Sequence, residues 1–115
     1  MREGEVILTP LPQADGRVKP RPALALREMP RYGDLLVCGV STQVHLLVAD
    51  FDELITHLDE DFAGSGLLAD SLIRLGFLAV LPRRQIMGSI GAVSSERHRR
   101  LLKRLSDYLL GSVPQ

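Results

Sequence analysis

Short apolar runs separated by turn residues occupy most of the chain, a pattern typical of β-strands. Three runs in the first part of the chain predict strands at 5–10, 22–26 and 35–40. Pro10 closes the first run and Pro22 opens the second, and proline is tolerated at such strand ends. The third run is almost continuous in apolar character, which predicts a central strand buried on both faces.

The middle of the chain has a less regular pattern. Residues 44–49 are apolar enough for a fourth strand. Asp50 and Glu53 then have the spacing of a helix capping box, which predicts a short helical turn over 50–58. Residues 61–67 contain two glycines and predict a loop. We therefore expect a strand, a short helical insertion and a loop in this part of the chain.

Further strands follow in the last third of the chain. Segments 71–75 and 77–81 flank Gly76, and an isolated glycine inside a strand pattern is typical of a β-bulge. After a turn at 82–85, residues 86–93 predict the last strand.

A C-terminal helix is predicted to begin after Ser94 or Ser95, either of which can cap its N-terminus, and to end at Gly111. Its leucines recur at helical spacing and form one apolar face: Leu101, Leu102, Leu105 and Leu109. The whole pattern predicts a mainly β (α+β) fold. It would be a small, strongly bent sheet or barrel with a short helical insertion and a C-terminal helix.

Composition fits a single domain over residues 1–115 with an aliphatic core. Aromatic residues make up 4% of the chain and tryptophan is absent, so aliphatic side chains must fill the interior. The net charge of zero argues against a generic basic nucleic-acid-binding protein. A lone Cys38, the absence of a signal peptide and the lack of a long apolar stretch favour a cytoplasmic protein with no membrane association.

Charge is distributed unevenly along the chain. Residues 51–70 carry six acidic side chains and no Lys or Arg, whereas residues 71–115 carry eight basic side chains and two acidic ones. Most of this basic excess falls on the predicted helix: Arg97, Arg99, Arg100, Lys103 and Arg104. Two interpretations remain open: a basic face that contacts RNA or an acidic partner, and two separately solvated regions.

Arg21 is the first candidate functional residue. Pro20 and Pro22 fix the backbone on both sides of it. A guanidinium held in this way can present its fork of donors to a phosphate. Arg17 and Lys19 in the same loop could add phosphate contacts. The alternative is that Arg21 is an ordinary surface charge beside a turn.

Ser41, Thr42 and Gln43 follow the third strand directly. Such residues are common turn formers, but a hydroxyl there can also stabilise negative charge on a phosphate or a leaving oxygen. If the second and third strands are neighbours, Arg21 and Ser41 come together at one end of the sheet. The spacing of the three histidines and Cys38 fits no metal site, so we expect a phosphodiester site without metal or cofactor.

Six short segments stand in a characteristic order: 4–8 (GEVIL), 21–26 (RPALAL), 40–43 (VSTQ), 66–67 (GL), 71–74 (SLIR) and 90–94 (IGAVS). In order and spacing they resemble the MazF/PemK family of toxin endoribonucleases from bacterial toxin–antitoxin pairs. The resemblance covers most of the chain. It implies one PemK/MazF-like domain with an SH3-like barrel, a C-terminal helix and a homodimeric assembly.

The resemblance also implies a function. Members of this family cleave single-stranded RNA at short sequences without a metal, using the 2′-hydroxyl as nucleophile. The family's essential arginine falls on Arg21, as general base or stabiliser of transition-state charge. Its catalytic threonine falls on Ser41, with Thr42 and Gln43 as substrate or structural support. A cognate antitoxin that docks on the RNA groove is the implied partner.

The segment 77–80 departs from the family pattern. It is apolar (FLAV), whereas many members carry Gln/Lys-x-Arg there, and this implies a shorter or altered RNA groove. Two alternatives to the enzyme therefore stand: a non-catalytic SH3-like binding module and a degenerate toxin homologue that acts through protein contacts. The positions of Arg21 and Ser41 relative to each other should discriminate between these and the enzyme.

Overall fold

The computed structural model describes residues 2–12 and 16–111. Within these residues, six strands form one antiparallel sheet in the order β4-β5-β3-β2-β1-β6. The strands are β1 (Glu5–Pro12), β2 (Val18–Glu28), β3 (Leu35–Ser41), β4 (Glu53–Ile55), β5 (Ser71–Leu81) and β6 (Gly88–Ala92). The helices are α1 (Phe62–Ser65) and α2 (Ser95–Leu110), and 3-10 turns lie at Val44–Leu46 and Arg83–Gln85. The predicted mainly β fold with a C-terminal helix is confirmed.

The segment between β3 and β5 differs from the prediction. Residues 44–49 are not a strand, and β4 takes the place of the predicted helical turn at 50–58. Buried Asp52 supplies the physical reason. Its carboxylate accepts the backbone N–H groups of Val48 (3.0 Å) and Leu75 (3.1 Å). The first bond turns the chain back on itself, and the second anchors the turn to β5, so that the following residues pair with β5.

The two faces of the sheet carry separate hydrophobic clusters. The larger one includes the apolar face of α2: Val6, Leu24, Leu26, Cys38, Val40, Ile55, Ile73, Leu75, Leu101 and Leu105. The smaller one uses the alternate positions of β1, β2 and β3: Ile7, Ala23, Ala25, Leu35, Val37 and Ile86. Because β3 contributes to both clusters, the prediction of a central strand buried on both faces is confirmed. Burial raises the pKa of the Cys38 thiol to about 12, so the thiol stays protonated and unreactive, and Cys38 serves as a core packing residue.

A bulge interrupts β5 where the sequence predicts one. Cys38 of β3 pairs with Leu78, but the next residue, Gly39, pairs with Arg74. Three residues of β5, including Gly76, therefore lie between two consecutive pairs. Such an insertion bends the strand and helps the sheet to curl.

Two glycines allow the backbone of α1 and the residue after it to contact the backbone of β6. A Cβ on Gly91 of β6 would overlap the carbonyl oxygen of Gly64 in α1, and a Cβ on Gly66 would overlap the carbonyl oxygen of Ile90. Gly66 also has a φ of 75°, which favours glycine. The glycines of segments 66–67 and 90–94 are thus explained by backbone-to-backbone contact.

Replacing Gly91 with alanine is expected to lower the free energy of unfolding by about 1–3 kcal/mol, because the atoms that the new methyl meets are backbone and cannot rotate away. Gly64→Ala is the matched control, since its Cβ would lie 3.8 Å from the nearest atom, at an ordinary contact distance. Urea unfolding of both variants checks this. Equal stability of Gly91→Ala and the wild-type protein would contradict the close contact.

Candidate functional site

Arg21 and Ser41 lie at the same end of two neighbouring strands. β2 and β3 pair antiparallel, with Leu24 opposite Cys38 and Ala23 opposite Gly39. Extending this register by two residues places Arg21 across from Ser41. Side chains two positions apart share a face of a strand, so both residues belong to the face that carries Ala23 and Gly39. The sequence predicted that Arg21 and Ser41 would come together if their strands were neighbours, and β2 and β3 are neighbours.

The backbone around Arg21 is fixed by the sheet as well as by its prolines. Arg21 pairs with Thr9 of β1, and the flanking prolines pair with Pro10 and Leu8. Thr9 is fully buried, and its hydroxyl donates to the Gln85 carbonyl at 3.4 Å. The Arg21 side chain is exposed, and it projects from a backbone that is held on both sides.

The other two basic candidates lie beside Arg21. Lys19 belongs to β2 and, by alternation, shares a face with Arg21, while Arg17 comes directly before the strand. Both side chains are exposed. The three cations therefore follow one another along the first residues of β2.

Ser41 forms the turn predicted for it, and its hydroxyl keeps a donor. Its Oγ accepts the backbone N–H of Gln43 at 3.1 Å, which makes a tight turn after β3. A hydroxyl accepts through its oxygen and donates through its hydrogen, so this bond does not use the O–H donor. Thr42 and Gln43 are exposed, and the Thr42 carbonyl accepts from the backbone of Val44 at 2.9 Å. The segment is a turn whose one half-buried hydroxyl retains a donor.

A cavity of about 370 Å³ lies next to this turn. Its wall is mainly apolar, and Ser41, Thr42 and Ser71 are among its lining residues. The remaining lining residues are Leu8, Pro22, Val40, Gly66, Leu67, Leu68, Ala69 and Ile90. The cavity has room for a flat ring or a large apolar side chain, and three hydroxyl-bearing residues are among those that line it.

The arginines of α2 pair with the acidic segment that precedes them in sequence. Arg97 is buried, and its guanidinium contacts Asp61 at 2.8 Å, Glu53 at 2.7 Å and Asp59 at 3.2 Å. Arg100 and Arg104 also pair with Glu53, at 2.7 and 3.2 Å. For these three arginines, both open interpretations are wrong: they are neither a free RNA-binding face nor a separately solvated one.

These contacts shift the pKa values of the paired groups. The hydrogen bond from Arg97 lowers the pKa of Asp61 to about 2. Burial alone would raise the pKa of Glu53, but the hydrogen bond and charge of Arg100, with the charges of Arg97 and Arg104, outweigh it and lower the pKa. The ion-pair cluster therefore keeps its carboxylates charged and joins α2 to β4 and the residues before α1.

The free energy of unfolding is expected to fall as the pH drops from about 4.5 to about 2. The pKa of Asp61 is depressed from 3.8 to about 2 on folding, so its stabilising effect is complete above the unfolded value and is lost as the pH falls through the folded one. Glu53 acts in the same direction from its ordinary value of 4.5. Urea unfolding at successive pH values should give a flatter dependence for Asp61→Asn, and an unchanged dependence would contradict the account.

The family follows from comparison with known proteins. Residues 2–109 match the family described as PemK-like, MazF-like toxin of type II toxin-antitoxin system. The chain belongs to this family of toxins. Among solved structures, the Mycobacterium tuberculosis toxin MazF-mt6 has a similar fold, with a TM-score of 0.67 and 20% sequence identity. The similarity covers 95% of this chain and 99% of that one. No curated protein sequence matches the chain significantly.

The apolar segment of β5 is exposed in this PemK/MazF-family protein. Phe77, Leu78 and Val80 expose 44%, 42% and 52% of their surface, respectively. β4 pairs only with the start of β5, so among the described residues the 77–81 part has a strand neighbour on one side. The Arg74 guanidinium lies 5.9 Å from the centre of the Phe77 ring. The departure from the family pattern is therefore a solvent-exposed apolar strip.

Sequence reasoning missed a histidine–aspartate pair near the same end of the sheet. Oδ1 of Asp70 accepts the backbone N–H of His57 at 2.8 Å and contacts its Nδ1 at 3.0 Å. Hydrogen bonding from His57 lowers the pKa of Asp70. The two residues are thirteen positions apart, so no local motif joins them.

In the described part of the chain no cluster of three or more His, Cys, Asp or Glu side chains could hold a metal. No helix there is long and apolar enough to cross a membrane.

Proposed function

We propose that this toxin-family protein is a metal-independent endoribonuclease that cleaves single-stranded RNA by attack of a 2′-hydroxyl. The observation that carries the proposal is the juxtaposition of Arg21 and Ser41 at one end of the β2–β3 pair. Membership of the toxin family supports the same chemistry. The exposed guanidinium and the hydroxyl donor suit the charge that develops on a phosphodiester.

The reaction exchanges one bond to phosphorus for another. The 2′-oxygen bonds to phosphorus, the bond to the 5′-oxygen breaks, and the products carry a 2′,3′-cyclic phosphate and a 5′-hydroxyl. Arg21 is the stabiliser of charge on the non-bridging oxygens, because a guanidinium remains protonated and makes a poor base. Ser41 donates its O–H to a phosphate oxygen. Both interactions strengthen as charge accumulates in the transition state.

The surrounding residues suit a nucleic-acid strand. Arg17 and Lys19 would contact phosphates next to the one that reacts, which fixes the strand without reading its sequence. Thr42 and Gln43 would bond to the sugar or the base, and the apolar cavity beside Ser41 would accept an unstacked base.

The assembly follows the family. We expect a homodimer and a cognate antitoxin that binds across the end of the sheet where Arg21 and Ser41 lie, which would block access of RNA. A toxin of this kind would act on RNA in the cytoplasm.

The product ends test this proposal. Purified protein is incubated with a long single-stranded RNA in excess chelator, and the ends of the fragments are analysed. We expect discrete fragments with 5′-hydroxyl and 2′,3′-cyclic phosphate ends. Fragments with 5′-phosphate ends would overturn the mechanism, and intact RNA with a folded protein would overturn the activity.

Removal of the Ser41 hydroxyl is expected to slow cleavage by about 10²-fold, as for loss of one transition-state donor. Ser41→Thr should retain most of the activity, because it keeps the hydroxyl. Ser106→Ala on the exposed side of α2 is the matched control and should cleave like the wild-type protein. Cleavage by Ser41→Ala at the wild-type rate would exclude a role for this hydroxyl.

A specific observation also favours a second function, that of a binding module. The exposed apolar residues Phe77, Leu78 and Val80 would suit a protein partner. If the folded protein leaves RNA intact, binding through this strip becomes the function that the structure supports.

A further inference from the structure

We infer that His57, held by Asp70, is the general base that accepts the proton of the attacking 2′-hydroxyl. The inference rests on the proposed endoribonuclease function and assigns its proton-transfer step. Arg21 and Ser41 stabilise charge, but neither is suited to accept a proton near neutral pH. Histidine is the side-chain type whose protonation changes in that range, which makes it the usual general base.

The sheet brings the His57–Asp70 pair to the end where Arg21 and Ser41 lie. Ser71 of β5 pairs with Ile55 of β4, and Leu72 pairs with Ser41 of β3. Asp70 comes directly before these paired positions, and His57 follows β4 by two residues. Adjacent strands are about 4.8 Å apart, so β4 lies only about 10 Å from β3 across the sheet. A nucleotide with the facing side chains can span that interval.

The cavity beside Ser41 extends to the chain on both sides of Asp70. Ala69 and Ser71, the chain neighbours of Asp70, line the same cavity as Ser41 and Thr42. A nucleotide whose base occupies this cavity would have its ribose at the end of the sheet that carries both Ser41 and the pair.

The hydrogen bonding of the pair selects the tautomer that a base needs. An ionised carboxylate only accepts hydrogen bonds, so the 3.0 Å contact requires that Nδ1 of His57 carry the proton. The lone pair is then on Nε2, the outer nitrogen of the ring. The His57 side chain is 68% exposed, so a substrate can reach this atom. The backbone bond from His57 to the same carboxylate oxygen fixes the position of Asp70.

The proton balance closes with these groups and water. Nε2 takes the proton of the 2′-hydroxyl as the 2′-oxygen bonds to phosphorus. The 5′-oxygen leaves with a proton from water, and the imidazolium then returns its proton to the hydroxide that remains. Asp70 stays ionised throughout. It is a positioning residue that orients the ring and stabilises the imidazolium.

The test compares cleavage rates in excess chelator for the wild-type protein, His57→Ala, Asp70→Ala, the double variant and Arg21→Ala. We expect His57→Ala to lose about 10²–10⁴-fold, the range for removal of a general base, and to regain activity when imidazole is added. Asp70→Ala should lose less, and the double variant no more than His57→Ala, because the pair acts as a unit. His45→Ala is the matched control, since this exposed histidine lies in the turn after Gln43, and it should cleave at the wild-type rate with no response to imidazole.

Two outcomes would overturn the inference in distinguishable ways. If wild-type protein cleaves RNA and Arg21→Ala does not, a folded His57→Ala with wild-type rate removes His57 from the mechanism and leaves the endoribonuclease standing. A reduced rate of His57→Ala that imidazole does not raise would assign the pair a structural role. If folded wild-type protein leaves RNA intact, the proposed function and the inference fall together. Thermal melting of each variant identifies those that do not fold.

Discussion

Replacement of Arg97 with methionine is expected to lower the free energy of unfolding by about 3–5 kcal/mol, the range for removing one partner of a buried ion pair. The guanidinium contacts Glu53, Asp59 and Asp61, and its side chain is 7% exposed. It also donates to the Leu54 carbonyl at 3.0 Å. Methionine fills part of the space but leaves Asp61 without its main counter-charge.

An effect of this size would be a large fraction of the stability of a small domain, which is about 5–15 kcal/mol. Arg99→Met is the matched control, because Arg99 is exposed on the same helix and a substitution there should change stability by less than about 0.5 kcal/mol. Urea unfolding followed by circular dichroism measures both. An Arg97→Met protein as stable as Arg99→Met would show that the ion-pair cluster does not hold α2 in place.

Replacement of Arg21 with alanine is expected to reduce RNA cleavage by about 10³-fold or more, the range for an arginine that stabilises a phosphoryl transition state. The guanidinium offers two parallel donors to a phosphate, which a lysine cannot reproduce. Arg21→Lys should therefore recover only a small part of the rate. Stability should change little, because the Arg21 side chain is exposed.

Arg27→Ala is the matched control for Arg21. Arg27 is an exposed arginine at the opposite end of β2, where it pairs with Glu3 at 3.5 Å. Its removal should leave cleavage unchanged. RNA binding measured at low salt should fall for Arg21→Ala far less than the cleavage rate does, because Arg17 and Lys19 still attract the backbone. Equal losses of binding and cleavage would instead make Arg21 a binding residue without a role in the transition state.

Local patterns in the sequence are sufficient to predict much of this fold. Short apolar runs between turn residues predict most of the strands. Ser94 caps α2 by accepting from the backbone N–H of Arg97 at 3.1 Å. Gly76 lies at the bulge in β5. These features depend on neighbours in the chain. The turn at 48–52 does not, because buried Asp52 bonds to Leu75 from a distant strand. Its apolar neighbours therefore give a misleading strand signal.

Some residues of the candidate site can likewise be predicted from local sequence, and others cannot. Arg21 and Ser41 can be proposed from sequence, since each stands at a strand end and the two strands are close in the chain. The His57–Asp70 pair depends on how β4 meets β5, which periodicity does not reveal. The pairing of Arg97 with Glu53, 44 residues earlier, likewise appears only in the folded chain. Charge patterns alone therefore could not show that Arg97, Arg100 and Arg104 pair with acidic residues of the same chain.

Cleavage of a long single-stranded RNA in excess chelator, by the wild-type protein and by Arg21→Ala side by side, tests both the endoribonuclease assignment and the role of Arg21. We expect discrete fragments with the wild-type protein and intact RNA with the variant. Intact RNA with both proteins, each shown to be folded, would contradict the endoribonuclease assignment. Identical fragments from both would contradict the role of Arg21.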